Sequence, residues 1–297
     1  MDNIISFDQL PSSLLNYLGS FLNLDNLARF SLINTRNRKI FSEIPSIYKM
    51  IKKREGEREN KELKNLEYYI EKKYAGEYNE EEQSSILHLA CLEENISANT
   101  IKYLIENKGD VNYENTLQQI PLHSACTNPS ITIEVLRLLI ENKSEINKQD
   151  NSQNTPLILL SENYNTSLEK IQFMVENKAD LNMVNSFSIT PLQLISRKGQ
   201  FSMIKYMIEN KSDPQLNRPA LCYACSNLGN ESLEIIKYLV EFKCDVNPVL
   251  YDSCNSVHLA CTSSQISMEI LKILVDQKAD LNLKGQYNQF TPLHFLV

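Results

Sequence analysis

Four histidines, His88, His123, His258 and His294, are the side chains of this 297-residue chain best suited to proton transfer near neutral pH. Seven cysteines accompany them, and Cys222-Tyr223-Ala224-Cys225 has the C-x-x-C spacing of a redox pair or half a zinc site. A zinc site needs a second such pair or neighbouring histidines, and Cys222 has neither in sequence. The motifs G-x-S-x-G and H-E-x-x-H are absent, as are carboxylates clustered in an apolar frame. Gly19, Gly56, Gly76, Gly109, Gly199, Gly229 and Gly285 stand far apart, which excludes the clustered glycines of a phosphate-cradling loop. On this reading the chain has no catalytic, cofactor-binding or metal-ligating set.

What the histidines share is an address. They fall in segments that align when stacked: SILHLAC from Ser85, IPLHSAC from Ile120, TPLILLS from Thr155, TPLQLIS from Thr190, PALCYAC from Pro219, NSVHLAC from Asn255 and TPLHFLV from Thr291. The fourth position is His88, His123, Ile158, Gln193, Cys222, His258 and His294, at spacings of 35, 35, 35, 29, 36 and 36. Cys225 likewise occupies the place of Cys91, Cys126 and Cys261, so the C-x-x-C arises from the repeat. Each segment but the last is followed by a second apolar periodic stretch, among them IKYLIENKGDVN, IQFMVENKADLN and LKILVDQKADLN. The pattern predicts two helices and a turn per unit.

These units resemble ankyrin repeats, whose signature is T-P-L-H-x-A and whose usual length is about 33 residues. The resemblance covers residues 85–297, as six repeats and a truncated seventh. It implies an all-α solenoid of helix pairs with projecting hairpin loops, and a protein partner bound on its concave face. From the acid that closes each second helix to the next fourth position the distance is regularly 17, as from Glu106 to His123. The extra residues are therefore expected between the two helices, where Pro129 also stands. Glu209 to Cys222 is only 13, which predicts a finger shortened by four residues and a notch in the surface there. The family usually has Gly after the second helix, in a left-handed conformation. Here Lys108, Lys143, Lys178, Lys211, Lys243 and Lys278 take that place, so the cap is expected to be strained or turned differently. The preceding Asn of four units is expected to share that burden.

Binding energy in such arrays is expected in the variable fingers. Tyr113, Leu117, Met183, Val184, Phe187, Leu250, Tyr251, Tyr287 and Phe290 are the candidate partner-binding residues, because apolar side chains on loops are costly to leave in water. The alternative for each is packing onto the next repeat.

Residues 1–50 have another pattern. Leu14, Leu15, Leu18 and Phe21 fall at helical spacing, Asp25 can cap a second helix with Leu27, Phe30 and Leu32, and Pro45 ends a third region. Leu10-Pro11, Leu14-Leu15, Tyr17-Leu18, Leu24, Leu27, Ser31-Leu32-Ile33 and the basic Arg36, Arg38 and Lys39 resemble an F-box, with Ser12 and Ser13 where the family usually has an acidic residue. The resemblance implies a substrate receptor for a cullin-type ubiquitin ligase, with Leu10, Pro11, Leu14, Leu15 and Leu18 at the adaptor subunit. The alternative is a general scaffold in which these helices only cap the array. Residues 51–84 read as a charged linker helix and a degenerate leading repeat.

The first 75 residues carry 13 Lys/Arg and 10 Asp/Glu, and the remainder 17 and 27, within a total charge of −7. An acidic body repels phosphate backbones, so no nucleic-acid partner is expected. No signal peptide and no stretch of about 20 apolar residues is present. A cytoplasmic or nuclear protein with reduced cysteines and no membrane partner follows as the expectation.

Overall fold

The computed structural model describes residues 85–297 except 95, 107–108, 214–215, 218, 249–253, 264–265, 286–288 and 296–297. The F-box-like stretch and the charged linker fall outside the described residues. The described residues form twelve α-helices: α1 Ile86–Leu92, α2 Ala98–Glu106, α3 Pro121–Thr127, α4 Ile133–Glu141, α5 Pro156–Glu162, α6 Leu168–Glu176, α7 Pro191–Lys198, α8 Phe201–Glu209, α9 Ala220–Cys225, α10 Ser232–Glu241, α11 Ser256–Cys261 and α12 Met268–Asp276. A 3₁₀ turn, Pro292–Phe295, closes the series, and no strand occurs among the described residues. Odd-numbered helices pack in one row and even-numbered helices in a second.

The first helix of each unit is short because it is enclosed. All of Pro121 to Cys126 is buried in α3, and all of Pro156 to Ser161 in α5. A strong start compensates for the few turns available to such a helix. Thr155 and Thr190 accept from the amides of Ile158 and Gln193, and proline follows at the first helical position. Second helices are amphipathic, burying Val135, Leu136 and Leu139 in α4 and Met203, Ile204 and Met207 in α8.

The extra residues do lie between the helices of a pair, and they carry structure. Asn128 and Asn163 are buried there. The Asn128 amide donates to the carbonyls of Cys91 and Glu93 at 2.9 and 2.8 Å, and Asn163 donates to those of Cys126 and Asn128 at 3.1 and 3.0 Å. Each donates to carbonyls at the C-terminus of the preceding unit's first helix, where intrahelical partners run out. The fourth unit has a compact turn at Gly199, φ 68°, with no asparagine, and the Lys198 ammonium takes over by donating to the Asn163 carbonyl.

The lysines turn the corner themselves. Lys143, Lys178, Lys211, Lys243 and Lys278 have φ of 68°, 75°, 74°, 65° and 64°. In each case the lysine amide returns to the carbonyl three residues back and the next amide to the carbonyl five back, as Lys143 to Ile140 at 2.9 Å and Ser144 to Leu139 at 3.0 Å. This is the Schellman arrangement built without glycine. The preceding asparagines do not share the left-handed conformation: Asn142 stays at φ −86°, ψ 21° and Asn177 at φ −89°, ψ 19°. Their side chains instead donate to the carbonyls of Leu138 and Phe173, each at 2.8 Å. Asparagine thus closes the helix, and the strain rests on the lysine.

A left-handed non-glycine residue costs roughly 1–2 kcal/mol, against roughly 0.5–1 kcal/mol for the greater freedom glycine loses on folding. Lys143→Gly should therefore raise the unfolding free energy by about 0.5 kcal/mol, and Lys143→Val should lower it by about 1 kcal/mol or more. Urea midpoints of the two variants check this, and a glycine variant no more stable than the parent would refute it.

Candidate functional site

The face that varies from unit to unit is the row of fingers joining each second helix to the next first helix. Its base is fixed by a repeated asparagine. The amides of Asn112, Asn147 and Asn182 donate to the carbonyls of Lys143, Lys178 and Lys211 at 2.9, 2.9 and 3.1 Å. Their side-chain oxygens accept from the amides of Glu145, Asp180 and Asp213 at 2.9, 2.8 and 2.7 Å. Asn247 repeats both contacts toward Lys278 and Asp280. The left-handed lysine aims its carbonyl at this side-chain N–H donor, so the strained cap and the asparagine work as one joint.

Toward the tip, Asn115, Asp150 and Asn185 each open a tight loop. Asn115 accepts from the amides of Leu117 and Gln119 at 3.0 and 2.9 Å; Asp150 and Asn185 do the same for Ser152 and Asn154, and for Phe187 and Ile189. Each loop closes through a left-handed Gln118, Gln153 or Ser188, at φ 57°, 59° and 58°. Neighbouring tips are also joined, since the Asn151 amide donates to the Leu117 carbonyl and the Ser186 amide to the Ser152 carbonyl, both at 2.9 Å. A rigid row results, with Leu117, Ser152 and Phe187 at equivalent places on its crest.

The candidate contact residues divide accordingly. Leu117 and Phe187 are exposed, at 40% and 60%. Tyr113, Met183 and Val184 are half-buried, with Tyr113 edge-on to His88 at 6.3 Å and the Val184 carbonyl accepting from Gln149. Phe290 is part exposed but stacks on His294 at 5.2 Å and meets Phe295 edge-on. Leu250, Tyr251 and Tyr287 lie outside the described residues.

The histidines act as clamps. The Ile120 amide donates to His123 Nδ1 at 3.1 Å, which leaves the proton on Nε2, and Nε2 donates to the carbonyls of Lys148 and Asn154 at 3.1 and 3.2 Å. His88 and His258 make the same pair of contacts, reaching the carbonyls of Gln119 and Phe290. Gln193 reproduces the polarity: its oxygen accepts from the Thr190 amide and its nitrogen donates to the Leu216 carbonyl at 2.9 Å. An amide does the work of the imidazole there, an acceptor and a donor in line, while the apolar Ile158 fills the same place in the third unit.

Cys222 and Cys225 are fully buried, and burial pushes the Cys225 thiol up to about 12 and those of Cys91 and Cys126 up as well. Nucleophilic and metal-binding thiols are shifted the other way. Among the described residues no group of three or more His, Cys, Asp or Glu is placed to hold a metal, and no helix is long and apolar enough to cross a membrane.

A family model for ankyrin repeats matches residues 58–150, 87–182, 157–249 and 221–297, which together run from 58 to the last residue. The chain belongs to the ankyrin-repeat family. Among solved structures, the ankyrin repeat domain of human ASB11 is 20% identical with a TM-score of 0.56, over 72% of this ankyrin chain and 92% of that one. The ankyrin repeat domain of Bcl-3, a member of the IkappaB protein family, is 23% identical with a TM-score of 0.50, over 72% and 95%. No curated protein matches this ankyrin chain. At these identities the structural likeness establishes the fold.

Two outcomes are expected. Burial holds the His123 imidazole below its ordinary 6.5, against the opposing pull of the Asn154 carbonyl and the Asp150 carboxylate. The unfolded chain then takes up a proton near pH 6.5 that the folded chain refuses, so stability present above 6.5 declines as pH falls through and below it. His123→Gln, copying Gln193, should flatten that decline in urea titrations between neutral and mildly acidic pH; an unchanged slope would contradict the assignment. Ser161 stands in the cysteine row, buried, with its hydroxyl unpartnered among the described residues. Ser161→Cys should raise stability by about 1 kcal/mol by removing that unmet group, and a lower melting temperature would argue otherwise.

Proposed function

We propose that this protein is an adaptor whose ankyrin array holds a protein substrate on its finger-lined concave face, while residues 1–50 attach the array to the adaptor subunit of a cullin-type ubiquitin ligase. Ankyrin repeats are protein-interaction scaffolds, and the observation that carries this reading is the rigid finger row with Leu117 and Phe187 standing exposed on its crest. A loop backbone already fixed by hydrogen bonds loses little freedom on binding, so burial of the side chains it presents contributes to affinity. The mechanism is proximity: the solenoid keeps the substrate at a high effective concentration near the ligase.

The ligase half of the proposal rests on Leu10-Pro11, Leu14-Leu15 and Leu18, apolar pairs at helical spacing in a segment too short to bury them alone. The family match begins at residue 58, which leaves that segment outside the repeats. A scaffold whose first 75 residues only cap the array is the second reading, favoured by the need of terminal repeats for a polar outer face.

Capture on immobilised ligase adaptor separates them. The full chain should be retained, and the triple variant Leu10→Ala, Pro11→Ala, Leu14→Ala should be retained roughly tenfold less, as for loss of central interface anchors. Equal recovery of the two proteins would leave the scaffold reading standing.

A further inference from the structure

The turns that join the two helices of each unit lie at the other end of those helices from the fingers. Residues 128–132 join α3 to α4, 163–167 join α5 to α6 and 226–231 join α9 to α10, whereas only Gly199 and Gln200 join α7 to α8. The fourth turn is therefore a low step between longer neighbours, and both neighbours are tied to it. The Lys198 ammonium donates to the Asn163 carbonyl on one side, and on the other the Asn227 amide donates to the Arg197 carbonyl at 3.0 Å. Arg197, Lys198, Gly199 and Gln200 nevertheless stay half-buried, within reach of solvent.

The step is cationic on an array that is otherwise acidic. Arg197 and Lys198 are adjacent in the last turn of α7, and among the described residues no carboxylate stands within ion-pair distance of either. On the second helices, by contrast, Lys102, Arg137, Lys205 and Lys237 are paired with Glu106, Glu134, Glu209 and Glu269. Burial, and after it the charge of Arg197, hold the Lys198 ammonium down to about 8, with Glu162 pulling the other way. Two cations that repel each other in a half-buried place favour an anion between them. Beside them stands Tyr164 of the third turn, 83% exposed, with the Lys198 ammonium 5.5 Å from its ring centroid. Tyrosine and arginine are the residues most often found anchoring protein interfaces.

We infer that this step is a second protein-binding site, which takes a partner's turn with a carboxylate side chain on Arg197 and Lys198 and a neighbouring aromatic side chain on Tyr164. A polyanion does not fit, because Glu162 flanks the pair and the Glu231 carboxylate, accepting from the Phe201 amide at 3.2 Å, lies just past the turn. A single carboxylate meets the two cations without approaching those acids. The contact joins charges near the surface, so affinity falls as salt rises. This site goes beyond the finger face, and its test leaves the finger residues and Leu10, Pro11 and Leu14 untouched.

The test uses the full chain, isotope-labelled, and the peptide Gly-Phe-Glu-Gly, acetylated and amidated so that glutamate is its one charge. Saturable shifts are expected at the amides of Tyr164, Lys198 and Gly199, with affinity falling severalfold between low and moderate salt. Bound peptide should also raise the midpoint at which the Lys198 ammonium titrates, a readout that altered packing alone does not supply. Glutamine in place of the peptide's glutamate should weaken binding about fivefold, and so should Arg197→Gln, the size of one exposed charge pair. Tyr164→Ala should weaken it as well. Neither side chain holds two units together by a hydrogen bond among the described residues, so both variants should keep full helical content. Absence of saturable shifts, equal binding by Arg197→Gln or by the glutamine peptide, or an unmoved Lys198 midpoint would each overturn the proposal. A phosphoserine peptide bound tenfold more tightly would overturn the assignment to a carboxylate. Loss of adaptor capture with peptide binding retained would fault only the ligase reading.

Discussion

Everything in the array depends on one kind of contact: a backbone carbonyl at the edge of one unit meeting a side-chain N–H of its neighbour. Asn112 on the Lys143 carbonyl, Asn128 on those of Cys91 and Glu93, and His88 on that of Gln119 are three versions of it. Stacking short helices leaves many buried carbonyls at helix ends, and each would cost about 1–3 kcal/mol if left unmet. The apolar rows of Leu122, Leu157 and Leu192 supply attraction between units but no preferred offset. The polar joints set that offset, because a hydrogen bond is met at one distance and direction only. Where these positions keep a polar side chain its identity changes, from His to Gln or from Asn to Lys, while the donor it presents stays in place.

The repeat, its two helices and the site of its insertions were legible in the sequence because they depend on periodicity and spacing, which a stack of aligned segments displays. The structural office of histidine was legible for the same reason. What could not be read was which of two adjacent residues takes the left-handed turn. Intrinsic preference favours Asn142 over Lys143, but the asparagine side chain already bonds Leu138, a partner available only with right-handed backbone at that residue. The recurrent asparagine of the phrases ending in D-V-N, E-I-N or D-L-N was visible, and its purpose was not, because its partner lies one whole unit away. Gln118, Gln153 and Ser188 gave no signal at all: nothing in a lone glutamine announces a left-handed conformation. The finger residues show the same limit, since Leu117 and Met183 look alike in sequence and differ in exposure only through their places along the loop.

The shortened finger illustrates how local such a structure is. Four residues are missing after Glu209, and yet the first helices of the two units it joins, α7 and α9, remain packed and Gln193 still finds its carbonyl. In a solenoid each unit answers only to its neighbours, so a deletion beyond the joint alters the surface without disturbing the stack. Framework and recognition surface are therefore separable along each finger, with the division at the asparagine or aspartate that opens the loop.

The left-handed lysines carry one more implication. Lys143, Lys178, Lys211, Lys243 and Lys278 stand exposed along one edge of the array, where a protease that cuts after basic residues would find them first. Such an enzyme must draw several residues on each side of the bond into an extended conformation, and these bonds sit inside doubly hydrogen-bonded turns whose carbonyls, in most units, are also held by an asparagine of the preceding unit. Cleavage there must wait for a unit to open. The edge offers charge to the solvent while withholding its backbone from digestion.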